Sequence, residues 1–342
     1  MNQQKQMKRV GDIYTQMCEK TNIRTAILNA SEGKTKNSHV VEVLKNIDKY
    51  IDLLQEMMIN KSYTPSPFKN MVVKTPTKTR NISKLPFFPD RCVHHLISLV
   101  MLPKWNNVIS DNTFGSWKDR GINCKNKHFS ITHRIKKIIS SFNYNVDLYC
   151  LKLDIKKCYE SVNTDIACSI LERWCKDKDA NNLMRMILKS SDGLPIGSYI
   201  SQLVINLYLT PLDRYIQKEY PHLKFVRYMD DIAIFSTDKK ELHECMHRVQ
   251  NFLFYELDLE LNNKRSVFKI GKHNKECCLD MCGYRFFRNY TLLRKRIKNN
   301  MISKLDNPKS VASYFGYLKY CESMNLINTY HIFDKMKITN EQ

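Results

Sequence analysis

Nowhere do the 342 residues hold an apolar run approaching the ~18 residues of a membrane-spanning helix, which excludes a helical membrane protein. No internal repeat and no low-complexity stretch interrupts the chain. No CxxC pair occurs among the 12 cysteines, which are scattered from Cys18 to Cys321. His273-x3-Cys277-Cys278-x3-Cys282 is the one cluster of metal-ligating type, and its spacing fits no common structural zinc site. Cysteines set in apolar patterns behave as small hydrophobes. The N-terminus reads as no signal peptide, so reduced thiols and a cytoplasmic location are expected. Acids are scarce: 34 Asp and Glu face 55 Lys and Arg, a formal net charge of +21. That surplus predicts a polyanionic partner, nucleic acid ahead of an anionic membrane surface.

What is present suffices for a folded protein. Hydrophobic residues make up 43% of the chain, and the length suits two or three subdomains. Apolar residues between Val40 and Met58 recur at intervals of three and four, the spacing of an amphipathic helix, and residues 1 to about 62 read helical. Pro65 and Pro67 end that segment. Met71–Lys74 and Asn81–Leu85 flank a basic turn and predict a hairpin, followed by a helix with Asp90 near its N-terminus. Residues 107–128 are loop-rich, with a helix after them to about Ser141. Leu148–Ile155 reads as a strand, and helices are expected over roughly 164–189, from Ser198 to Tyr215 with a kink at Pro211, and over 239–257. Strand-like runs lie near 266–270 and 281–287, and the tail from 297 reads helical and basic. This order predicts an α+β fold in which helices cover one face of an antiparallel sheet, leaving the other face to line a groove.

Three aspartates carry the chemistry. Asp154 ends the strand Leu151-Lys152-Leu153-Asp154-Ile155. Asp230 and Asp231 stand at the turn of Phe225-Val226-Arg227-Tyr228-Met229-Asp230-Asp231-Ile232-Ala233-Ile234-Phe235, the pattern of a hairpin between buried strands. If the two elements share a sheet, the carboxylates converge. Two magnesium ions roughly 4 Å apart, a spacing suited to phosphoryl transfer, could then be held. Magnesium suits a few carboxylates completed by substrate phosphates.

These segments, with others, resemble the reverse transcriptases, and among them the prokaryotic ones. Tyr228-Met229-Asp230-Asp231 looks like the signature hairpin, and Leu153-Asp154-Ile155-x3-Tyr159 like the first catalytic strand. Gly193–Gln202 looks like the loop that contacts template and nucleotide. Asn262-x-Lys264 and Cys282-Gly283-Tyr284-Arg285-Phe286 resemble the two later palm motifs, and Lys78-Thr79-Arg80 with Pro89-Asp90-Arg91 resembles the fingers. The resemblance spans roughly residues 65–290 in the family's order. It implies a right-hand polymerase architecture: an N-terminal helical extension (1–65), fingers (66–145), a palm segment (146–163), a helical fingers/palm insertion (164–192), the main palm (193–289) and a short helical thumb (290–342).

It also implies roles. Asp154 and Asp230 would bind both Mg2+ ions, for which Mn2+ can substitute, with the Ile155 carbonyl assisting and Asp231 as the supporting acid. Tyr159 would stack under the incoming sugar and exclude a 2′-hydroxyl. Lys78 and Arg80 would grip the triphosphate. Gly197 and Gln202 belong to the nucleotide-facing loop. Lys264 is a candidate proton donor to pyrophosphate. Arg91, Arg120, Gly283 and Tyr284 would meet primer and template. The implied partners are a structured template RNA, the RNA–DNA duplex, deoxynucleoside triphosphates, and a small accessory protein or a second copy. One departure narrows the type. Where most relatives carry glutamine before the loop glycine and proline after its serine, this chain has Ile196 and Gln202. That form resembles the enzymes of diversity-generating retroelements, which miscopy template adenine. Two alternatives stay open: a phage-defence reverse transcriptase making self-primed or untemplated DNA, and an RNA-binding scaffold with a vestigial site.

Overall fold

A computed structural model describes residues 11–74, 79–117, 120–124 and 126–337. They fall into two compact units, each assembled from three separate stretches of chain.

The first unit comprises residues up to Ser110, Lys157–Pro211 and Phe254–Leu259. Its centre is the helix Cys92–Trp105, apolar on nearly all sides, which packs against the helices Lys20–Ser31 and Tyr199–Tyr208. Val93, Leu96 and Ile97 are wholly buried there. Each such side chain contributes about 1.5–3 kcal/mol of hydrophobic stabilisation. The expected long helices are broken. The run from Val40 to Met58 divides into Ser38–Lys45 and Ile47–Ile59 at Asn46, whose φ of −116° and ψ of 36° leave the helical region. The expected helix 164–189 is two, Thr164–Glu172 and Lys178–Leu188. Asp177 starts the second by accepting from the main-chain N–H groups of Asp179 and Ala180, and it also accepts from Tyr14 N at 2.7 Å. The helix foreseen from Ser198 ends at Tyr208, and a separate helix, Thr210–Glu219, begins beside Pro211. Asp90 caps nothing. It is fully buried and accepts from Tyr63 Oη at 3.0 Å and Ser66 N at 2.9 Å. The expected hairpin is present as β1 (Lys69–Lys74) and β2 (Thr79–Lys84).

The second unit comprises Asp111–Lys156, Leu212–Leu253 and Glu260 onward. It contains a five-stranded sheet built from β3 (Thr113–Phe114), β4 (Tyr149–Asp154), β5 (Lys224–Tyr228), β6 (Asp231–Ser236) and β7 (Ser266–Lys269). The spatial order is β3-β5-β6-β4-β7. All neighbours are antiparallel except β3 and β5, so a two-residue parallel edge makes the sheet mixed. The run expected near 281–287 is instead a hairpin, β8 (Leu279–Met281) and β9 (Tyr284–Phe286), bent at Cys282-Gly283. β10 (Thr291–Leu293), which sequence periodicity does not show, completes a three-stranded sheet.

Successive strand side chains point to opposite faces. Cys150, Val226, Ala233 and Phe235 share one face of the larger sheet and join a core with Ile131, Ile135, Ile138 and Ile139 of the helix Ile131–Ser140. Val311, Leu318, Ile327 and Ile332 of the C-terminal helices belong to the same core. Lys152 and Asp154 continue the face of Cys150 toward the end of β4. The opposite face holds a charged pair, Arg227 with Asp213, both fully buried. Among the described residues no helix is long and apolar enough to cross a membrane.

Candidate active site

The hairpin register brings the acids together. Asp154, the last residue of β4, is the direct cross-strand partner of Asp231, the first residue of β6. Asp230 precedes it in the turn, beside Met229 at φ +57°. Paired positions of this kind place their Cβ atoms about 4.5–5.5 Å apart, close enough for two carboxylates to act on one ligand. Asp154 is held twice by Asn262. The Asn262 main-chain N–H donates to the Asp154 carbonyl at 2.7 Å, and its side-chain amide donates to Asp154 Oδ2 at 3.0 Å. Ile155 is buried and bridges to Leu261. Asp231 faces Lys152 in an ion pair. Burial pushes the Lys152 ammonium down to about 8, partly countered by nearby Cys150, Cys282 and Asp154. Lys152 and Asn262 are the contributors the motif reading undervalued. The signal for Lys152 was its place two residues before Asp154, on the same face of the strand.

The first unit gathers a different set. Tyr159 is half-buried, and its carbonyl accepts from Leu194 N at 2.7 Å. A Cβ on Gly193 would lie 2.5 Å from the Glu160 carbonyl oxygen, so glycine alone lets the 193–202 loop lie against the Tyr159 segment. The loop is also tied to β2, since Ser83 N donates to the Ile196 carbonyl at 2.7 Å. Gly197 and Arg91, both read as substrate-facing, line one cavity of about 160 Å3 with Lys84, His94 and Tyr199. Gln202 is exposed on the first turn of the helix that follows. Lys78 lies outside the described residues, and Arg80 is described only as backbone of β2.

Two expectations need correction. Tyr284, expected to touch the primer, is fully buried; its hydroxyl donates to the Tyr317 carbonyl at 3.0 Å and accepts from the Asn123 amide at 2.7 Å. An aromatic after a turn glycine looks exposed in sequence, but its place in β9 turns it into the core. Gly283 stays in the turn at φ +89°, with the Ile297 side chain where a Cβ would go. Arg120, expected to meet template, is only 9% exposed and lies over Phe129 at 5.3 Å, with Asp111 at 3.7 Å. Its charge braces its own loop. Lys264, expected as a proton donor to pyrophosphate, is exposed in the turn before β7, two residues beyond the Asn262 that holds Asp154.

The family model for reverse transcriptase (RNA-dependent DNA polymerase) matches residues 68–309. The chain belongs to this family. As a reverse transcriptase it falls among the RNA-directed DNA polymerases, which are nucleotidyltransferases. It is 22% identical over 204 residues to the group II intron-encoded protein LtrA of Lactococcus lactis, covering 56% of this chain and 32% of that protein. It is 20% identical over 182 residues to protein YkfC of Escherichia coli, covering 50% of this chain and 46% of that one. This reverse transcriptase thus spans less than half the length of these curated relatives. Its fold matches a telomerase of Candida tropicalis solved with a fragment of telomeric RNA, with a TM-score of 0.52 at 12% identity over 74% of this chain and 50% of that one. That likeness is one of fold, the right-hand polymerase architecture.

Reverse transcriptases generally use divalent metals such as Mg2+. The residues fit such an ion. The donors would be carboxylate oxygens at the strand ends and the adjoining turn, where Asp231 already meets one cation, Lys152. Among the described residues no three acidic, histidine or cysteine side chains close into a ready cage. Magnesium is ordinarily held by one or two carboxylates with waters and substrate phosphates, so no closed cage is required of the protein.

Proposed function

We propose that this chain copies RNA into DNA by adding deoxynucleotides to a primer 3′-hydroxyl. The observation that carries the reading is the register of Asp154 against Asp231, with Asp230 in the adjoining turn. Asp154 and Asp230 would hold two Mg2+ ions, aided by the Ile155 carbonyl, and Mn2+ can substitute. Bound there, the metals supply charge stabilisation for the attacking hydroxyl and the departing pyrophosphate. Asp231 balances the site, with Lys152 as its counter-ion. Asn262 fixes the Asp154 carboxylate. Tyr159 would select against a 2′-hydroxyl, while Arg80 and Lys78 would grip the triphosphate. The basic chain would take a structured RNA, and an accessory protein or second copy would steady it.

The test is primer extension on an RNA template with Mg2+. Asp154→Asn and Asp230→Asn should each lower incorporation by about a thousandfold or more, since removing a metal-holding carboxylate removes several kcal/mol of transition-state stabilisation. RNA binding should persist in both variants. Retained activity in either would sink the reading. Parent protein that binds RNA tightly yet extends no primer would favour the scaffold alternative.

The loop supports one type of polymerase. Ile196 replaces the usual glutamine, and its carbonyl is sewn to β2 through Ser83. A loop at the templating pair, packed through an aliphatic residue, is a physical route to low fidelity, as in diversity-generating retroelements. Sequencing the products should show errors concentrated opposite template adenine, with a changed rate in Ile196→Gln. Accurate copying would remove this part of the proposal. Products made without added primer or template would favour the defence type.

A further inference from the structure

The turn that carries Asp230 is gripped from behind. Arg227 lies in β5 between Val226 and Tyr228, so its side chain leaves the sheet on the face opposite Asp231. There it is completely buried. Its Nε donates to Asp213 Oδ1 at 2.8 Å and Nη2 to Asp213 Oδ2 at 2.5 Å, while Nη2 also reaches Thr113 Oγ1 at 3.2 Å. The Thr113 hydroxyl donates to Asp213 Oδ2 at 2.7 Å. The remaining arm, Nη1, donates to the main-chain carbonyl of Met229 at 2.9 Å. Met229 is the residue before Asp230. Its φ of +57° is a left-handed conformation that a side-chain-bearing residue keeps only when its surroundings impose it. Its own N–H donates to the Phe114 carbonyl at 3.1 Å.

We infer that Arg227 is a positioning residue, and that its bond to the Met229 carbonyl clamps the hairpin turn so that Asp230 is presented in one place. The inference rests on the polymerase reading of Asp230. Each part of the network has a task in it. A guanidinium is a planar fork, and Asp213 takes two of its prongs, which aims the third at the turn. Thr113 fills the second lone-pair direction of Asp213 and locks the carboxylate. Exclusion of water removes the competitor that would loosen a surface bond of the same kind. Stability alone is a poor reason for such a pair, because well-packed apolar residues of similar volume commonly serve a core as well or better. The arm on Met229 supplies another reason for the charge.

Two variants separate clamping from mere folding. Arg227→Lys keeps the charge opposite Asp213 but has one short ammonium in place of a fork, so the bond to Met229 is lost. We expect its kcat for deoxynucleotide incorporation to fall about thirtyfold with KM changed less than twofold, and the Met229 amide to exchange with deuterium at least tenfold faster. The triple replacement Thr113→Val, Asp213→Leu, Arg227→Met removes the three polar side chains of the network together and leaves the Met229 carbonyl in place. It should unfold at the parent's temperature or above and still show the loss of kcat and the faster exchange. Parent-like kcat in Arg227→Lys, or unchanged Met229 exchange, would overturn the clamp. So would a loss of activity that only follows a loss of thermal stability across the two variants. Parent protein without any incorporation would defeat the polymerase reading instead, and the exchange measurement would still decide the clamp.

Discussion

Gly197 stands at φ +111°, and a Cβ there would lie 2.7 Å from the Ser83 carbonyl oxygen. Alanine would therefore strain its own backbone and lift the loop off β2. Gly197→Ala should cost about 1–3 kcal/mol in urea unfolding, together with a clear loss of primer extension; unchanged values would show that the loop can move aside. Such residues were partly legible in the sequence. A glycine, an Asp-Asp turn and a strand-end aspartate announce their chemistry through immediate neighbours. Lys152 and Asn262 did not, since their value lies in which carboxylate they meet, and that is set by pairing between distant strands. Tyr284 misled for the same reason: two residues past the Cys282 turn, it looked accessible, whereas the alternation of β9 sends it inward.

The helix Cys92–Trp105 stores an acid sensitivity. His94 is buried with its Nδ1 3.2 Å from Ser198 Oγ, and His95 stacks on Tyr199 with ring centroids 4.3 Å apart. Burial pushes both imidazoles down to about 4 from an ordinary 6.5; for His95 the cations Lys34 and Arg91 add to it, while for His94 the pull of Asp90 opposes it. The folded chain holds both rings neutral, and an unfolded chain takes up protons first. Their contribution is complete above pH 6.5 and is lost as pH falls toward 4. For His94 the slope reaches about 1.4 kcal/mol per pH unit. Urea unfolding should show lower stability at pH 5 than at pH 7, and His95→Phe, which keeps an aromatic ring on Tyr199, should lessen the fall. An unaltered difference in that variant would contradict the assignment. Element boundaries were less legible than elements. Apolar periodicity runs straight across Asn46 and across residues 173–177, because both helices of each pair turn apolar faces inward. β10 is too short for any period to register.

At the scale of the whole molecule, the excess of basic over acidic side chains, 55 against 34, would set the terms of the proposed RNA binding. Affinity for a structured RNA should drop by about tenfold or more between roughly 50 and 200 mM salt, because releasing condensed counterions gains less entropy in the saltier solution. A flat response in a filter-binding titration would argue against a phosphate-dominated interface. Composition suggests a class of partner, whereas the partition of the chain was not legible in it, since each unit is drawn from three stretches and no linker marks a boundary. The sheet order has one more consequence, for synthesis. β4 sits between β6 and β7, both made long after it. At about 5–20 residues per second, the ribosome needs on the order of ten seconds to travel from Asp154 to the end of β7. For roughly the first two thirds of that interval, until β6 is made, the Tyr149–Asp154 segment is a nascent strand without either neighbour. Lys152, with Lys156 and Lys157 just beyond the strand, places charge where a sister chain would otherwise pair, the arrangement by which charged residues oppose aggregation of an exposed strand.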